Sequence, residues 1–213
     1  MKRAMTLIEI IMVIVIIGII SAVTAPNFER NSLREAAYQV LSHIRYTQHL
    51  AMIDNKYDPL DQFWYKKRWQ LAFGKSSAGA LNTDGEWAYT IFSDTSNDGN
   101  PNPNEIAKNI LDNTKLLSGG YSNTLDWQDS RATREMNLGK KFGIVNVSFS
   151  GCGGQRIAFD NIGRPINGNI SSMTTPYQSG RISNNRCDIT LVDQAGNSLT
   201  IAIEPETGYT HIL

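Results

Sequence analysis

MKRAMTLIEIIMVIVIIGIISAVTAP, residues 1–26, joins a basic start to a long apolar run that carries one carboxylate, Glu9. Met5 to Ala25 spans 21 residues. At about 1.5 Å per residue this makes roughly 31 Å of helix, enough for a hydrocarbon core of about 30 Å. Lys2 and Arg3 precede the run and no basic cluster follows it closely, so the positive-inside bias places the N-terminus in the cytoplasm and the chain after Pro26 outside. A secretory signal peptide also starts basic and then apolar, but its apolar region covers about 7 to 15 residues and ends at a small-residue cleavage site. An ordinary signal anchor explains length and orientation but gives no reason for Glu9. A carboxylate in the apolar phase costs on the order of 2.5 to 3.5 kcal/mol, less near an end, and usually has a partner.

Pro26 lacks an N–H and kinks a helix or marks its exit from the membrane. Beyond it, residues 26–55 read as an amphipathic continuation: Leu33, Ala36, Ala37, Val40, Leu41, Ile44, Leu50 and Ala51 recur at three- and four-residue steps among Arg30, Arg34, Glu35 and Arg45. His43 and His49, six apart, do not share a face at metal-ligand spacing and read as solvated helix positions. After Asn55 the pattern changes to short alternating runs bounded by Gly, Asn, Asp and Pro, which predicts a β-rich domain over 56–213. Candidate strands are 68–73, 87–93, 142–150, 156–160, 188–192, 199–204 and 209–213. The segment 112–137 reads as an excursion with little regular structure. The expected class is α+β, a long N-terminal helix on an antiparallel β-rich domain, with a modest single core.

Ala4-Met5-Thr6-Leu7-Ile8-Glu9, with the Ile/Val run, Gly18 and Pro26, resembles the class III signal of type IV pilins and type II secretion pseudopilins. The resemblance implies a pilin-like fold and a leader, residues 1–4, cut by a prepilin peptidase between Ala4 and Met5, with methylation of the new N-terminus. Residues 5–25 then remain as a transmembrane and assembly helix. Glu9 maps onto the glutamate thought to pair with the N-terminal amine of a neighbouring subunit. Ala4 stands where the family commonly has Gly, and Met5 where it commonly has Phe.

Three further stretches are similar to the GspH/FimT type of minor pseudopilin. They are Trp87 to Phe92 before an Asp/Asn/Gly loop, Ile157 to Pro165, and the closing pair Leu199–Glu204 and Thr207–Thr210. This implies a minor subunit of a type II secretion or type IV pilus filament, anchored in a bacterial inner membrane with a periplasmic head. Its implied partners are the prepilin peptidase, other pseudopilins or pilins, and the inner-membrane assembly platform. The alternative is a DNA-receptor minor pilin of a natural-transformation pilus. Some FimT-like proteins bind DNA through basic residues near the C-terminus, but residues 204–213 hold no Arg or Lys, so nucleic acid is not an expected partner.

Lys plus Arg and Asp plus Glu both number 20, and loss of Lys2 and Arg3 leaves 18 against 20. Such a balance gives no global attraction to nucleic acid. Phe63-Trp64-Tyr65-Lys66-Lys67-Arg68-Trp69 interleaves aromatic and basic residues, as a single-stranded nucleic acid or glycan site would. The reading favoured over that is a loop entering the first strand, with Trp and Phe packed inward and lysine stems covering them. The two cysteines, Cys152 and Cys187, fall on the oxidising side under this orientation, which favours a disulfide over two buried thiols. Two cysteines without a neighbouring His or acidic pair make too few ligands for a metal.

Residues 94–105, DTSNDGNPNPNE, place Asp94, Ser96 and Asp98 at loop positions one, three and five, Gly99 at six and Glu105 at twelve. Oxygen donors at this spacing wrap a hard cation, and calcium is the ion they suit. Ser96 is a weak third ligand, and Asp/Asn/Gly turns after strands arise without any metal. No cofactor is otherwise required. No nucleophile elbow, zinc-binding His pair or phosphate loop is present, and Gly151-Cys152-Gly153-Gly154 reads as a turn, so the chain is not expected to be an enzyme.

Overall fold

A computed structural model describes residues 7–24, 32–79, 82–122 and 125–213, with the side chains of the first helix described through Ile17. Ala4, Met5, Pro26 and Phe28 lie outside the described residues. The chain divides into two compact units, Met1–Asn31 and Ser32–Leu213.

In the first unit α1 covers Leu7–Thr24, and Glu9 in its first turn is its only acidic residue. All its described side chains, 7–17, are exposed, and apolar residues occur on every side of the helix. Among the described residues no helix is long and apolar enough to cross a membrane. The stretch expected to span one, 5–25, extends past the described side chains at both ends.

The second unit begins with α2, Ser32–Ile53. Its stripe Leu33, Ala36, Ala37, Val40, Leu41, Ile44, Thr47 and Ala51 is buried, the face that the three- and four-residue spacing dictates. α2 belongs to the same compact unit as the strands.

The strands form two four-stranded antiparallel sheets. The first has order β2-β1-β4-β5 and the second β3-β6-β7-β8. In chain order these are β1 Trp69–Gly74, β2 Ala88–Ser93, β3 Ile144–Ser150, β4 Arg156–Phe159, β5 Pro165–Asn167, β6 Cys187–Asp193, β7 Ser198–Ile203 and β8 Thr210–Ile212. A short helix, α3 (Leu138–Phe142), precedes β3 in place of the first residues of the strand expected from 142. Asn137 caps it by accepting from the Lys140 N–H, and Gly143, at φ +70°, ends it.

The main core lies between α2 and both sheets. It joins Val40 and Ile44 to Leu71, Phe73, Tyr89 and Ile91 of the first sheet and to Ile189, Leu191, Ile201 and Ile203 of the second. Gln48 on α2 ties the two sheets together, since its Nε2 donates to the Gly163 carbonyl in the β4–β5 turn at 2.8 Å and to the Thr207 carbonyl in the β7–β8 turn at 2.9 Å. The described residues of the excursion 112–137 are irregular apart from isolated bridges and a 3-10 turn at Arg134–Met136. It is nonetheless a structural cover. Leu125 and Ala132 pack with Ile106 on Ala72 and Phe92 across the outer face of the first sheet, so every residue of β2 is buried.

Candidate functional site

β2 ends at Ser93, and the acidic loop starts at the next residue. The first sheet therefore holds the loop from beneath: Asp94 is fully buried and Glu105 is 4% exposed, while Asp98 is exposed. Ligand atoms of Asp94, Asp98 and Glu105 all lie within 4.8 Å of one another. Gly99, at φ +82°, makes the sharp turn that position six requires. Its N–H donates to Asp94 Oδ2 at 2.9 Å, binding position six back to position one.

Each carboxylate is held by donors. Glu105 Oε1 accepts from the Ser96 N–H at 2.6 Å and the Thr95 hydroxyl at 2.9 Å, and Oε2 from the Asn102 N–H at 3.2 Å. Asp98 Oδ1 accepts from the Asn100 N–H at 2.7 Å. At the centre Asn102 Nδ2 reaches Asp98 Oδ2 at 2.8 Å, Glu105 Oε2 at 3.1 Å and Ser96 Oγ at 3.2 Å. An amide nitrogen has two protons for these three oxygens, so the centre is richer in acceptors than in donors.

The electrostatics agree with crowded negative charge. Burial raises the Asp94 carboxyl above the usual range, opposed by the Gly99 N–H and reinforced by the charges of Glu105 and Asp98. Burial also acts to raise Glu105, but the Ser96 and Asn102 N–H groups and the Thr95 hydroxyl outweigh it and hold that carboxyl low. Asp98 is lowered by the Asn102 side chain and the Asn100 N–H. The four residues proposed from spacing, Asp94, Ser96, Asp98 and Glu105, thus meet in one place. Sequence spacing did not single out Asn102, the ninth loop residue, which binds them together; its position is the one that commonly ligates through water. Their donor set is all oxygen, which fits a hard cation such as calcium and no softer metal.

The other candidates fall elsewhere. Cys152, just after β3, is bonded to Cys187, the first residue of β6, across 35 positions. In the aromatic–basic stretch Trp64 and Trp69 pack half-buried against the core as expected, but Phe63 is exposed at 41%, and Tyr65 and Arg68, at 2% and 4% exposure, are buried instead. The Arg68 guanidinium lies 4.9 Å from the Trp64 ring centre and 5.0 Å from that of Tyr177, and it donates to the Pro176 carbonyl at 2.7 Å. Lys67 pairs with Asp61 at 2.6 Å, and Arg164 pairs with the buried Asp160 at 2.7 Å. These cations are committed within the fold.

His43 is not the solvated residue its spacing suggested. It is half-buried on α2, its Nδ1 lies 2.7 Å from the hydroxyl of fully buried Tyr89, and burial lowers its pKa to about 4. Glu9 lies within α1, and Ala4 and Met5 are outside the described residues. No protein-family model, curated protein or solved structure matches this chain.

Proposed function

We propose that the chain is a minor pseudopilin or pilin-like subunit. It anchors and assembles through its N-terminal helix and presents the α+β head, Ser32–Leu213, to partners. The observation that carries this reading is α1, apolar on all sides from Leu7 to Ile17 with Glu9 as its only charge there. A helix hydrophobic all round is stable in a protein core or a membrane. A single carboxylate near its start is the residue that the pilin-like signal would need for assembly. The disulfide supports an oxidising, extracytoplasmic location for the head.

The nucleic-acid reading has less support, because Arg68 is buried between two rings and Lys67 and Arg164 are ion-paired. On this account the chain is non-catalytic, and prepilin peptidase, fellow pilin-like subunits and an inner-membrane platform are its partners. Glu9→Ala tests it. The variant should insert into membranes at least as well as the parent, since a charge leaves the apolar phase, and it should be lost from sheared filaments. Normal recovery of Glu9→Ala in filaments would contradict the role given to Glu9.

A further inference from the structure

A cavity of about 230 Å³ lies between Ser76 and Asn82 after β1, Asn100 and Pro101 of the acidic loop, Tyr121 and Ser122 of the excursion, and Arg156 at the start of β4. Among the described residues Arg156 is the only charged one in its lining. The guanidinium is fixed from one end: Nη1 donates to the Gly99 carbonyl at 2.6 Å and to Asn169 Oδ1 at 3.2 Å, and the group lies 5.9 Å from the Phe92 ring centre. Among the described residues these two are its hydrogen bonds, and both use Nη1. Nε and Nη2 are the parallel donors with which an arginine grips a carboxylate side-on.

The other lining residues offer hydroxyl and amide groups beside the apolar surfaces of Pro101 and Tyr121. Tyr121 lies against Gly74 so closely that a Cβ there would collide with its ring, which fixes where the phenol stands. Asn82 spends Nδ2 on the Ser122 carbonyl at 2.7 Å, leaving Oδ1 as an acceptor. Pro101 is buried and closes one side. The volume is below the about 300–1,000 Å³ of drug-sized sites, which restricts the occupant to one small molecule.

We propose that this cavity binds a small hydroxylated carboxylate of sugar-acid size, its carboxylate on Nε and Nη2 of Arg156 and its hydroxyls toward Asn82 and Tyr121. The proposal is independent of the assembly reading. Asp94, Asp98 and Glu105 do not line the cavity, but their charge in the adjoining loop weakens attraction for an anion, so the hydroxyl contacts carry part of the binding.

The test is calorimetric titration of the full chain in neutral detergent micelles, with chelator present, using glucuronate and glucose. These sugars share a ring and differ at the carboxylate. Glucuronate should saturate, and glucose should bind at least about tenfold more weakly, the loss expected for a charge-assisted bidentate pair. Arg156→Gln should weaken glucuronate by a similar factor. Because Arg156 also holds Gly99, Arg156→Lys is the control. It keeps the charge and a donor for the carbonyl but lacks the fork, and it too should bind more weakly while its near-UV circular dichroism stays that of the parent. Equal affinity for the two sugars, no saturation by glucuronate, or glucuronate affinity unchanged in both variants would overturn the proposal.

Discussion

At the scale of single residues, His43 shows what burial does to a titratable group. Gln39 Nε2 donates to the Tyr89 hydroxyl oxygen at 2.8 Å, so the hydroxyl proton is free to serve the neutral imidazole at Nδ1. Protonating His43 in the folded state would put a charge where burial disfavours it, which is why its pKa falls to about 4 from 6.5. The unfolded chain binds the proton first as pH falls. Folding stability from this site is therefore complete above about pH 6.5 and is lost progressively down to about pH 4, by at most about 3 kcal/mol. Asp94 runs the other way, because its raised pKa favours the folded state in acid. Urea unfolding of parent and His43→Gln across pH 4 to 7 should give a shallower pH dependence in the variant; parallel curves would contradict the coupling. The sequence displayed the spacing of His43 but not its partner. Tyr89 lies 46 positions away, and only the packing of β2 under α2 brings them together. The acidic loop was legible for the opposite reason: its clustered residues are all local, within twelve positions.

Among elements, the disulfide joins the end of β3 to the start of β6, neighbours in the second sheet, across a stretch that contains β4 and β5 of the first sheet. It therefore fastens the point where the chain leaves one sheet and returns to it. Closing such a loop contributes about 4 kcal/mol on the chain-entropy model. Cys187→Ser should lower the melting temperature by roughly 10 °C, given about 2–4 °C per kcal/mol for a domain of this size. Peptide mapping without reductant should recover Cys152 joined to Cys187, and two freely alkylated thiols in the native protein would refute the bond. Gln48→Ala, which strips two carbonyls of their donor, should cost about 1–2 kcal/mol in denaturant unfolding. Most strand positions were legible within a residue or two because alternation and turn residues are local. β5 was not. It starts at Pro165 and sits at a sheet edge, where proline is tolerated but looks like a turn from sequence alone. The burial of β2 on both faces was equally hidden, since the excursion that covers it carries no periodic pattern.

At the scale of the whole molecule, the acidic loop and the N-terminal helix make separate demands. If the loop takes calcium in the folded state alone, the head gains about 2.7 kcal/mol at a concentration 100 times Kd, with Kd of about 0.1–1 mM for a weak extracellular site. Melting the full chain in calcium and in chelator should separate the midpoints by several degrees. Asp98→Ala, at an exposed ligand, should remove the difference, and identical parent midpoints would leave the loop as a turn. The α+β class was legible because the change from helical to alternating periodicity near residue 55 is strong. That α2 lies across both sheets was not, because it depends on the order in which eight strands pair.

The claim that the chain is a pilin-like subunit is tested most directly by intact-mass analysis of the protein recovered from membranes of a host with a prepilin peptidase. A mature chain beginning at Met5, N-methylated and retaining the apolar helix, is the predicted result; a chain beginning after Ala25, as conventional signal-peptide removal leaves it, would contradict the account.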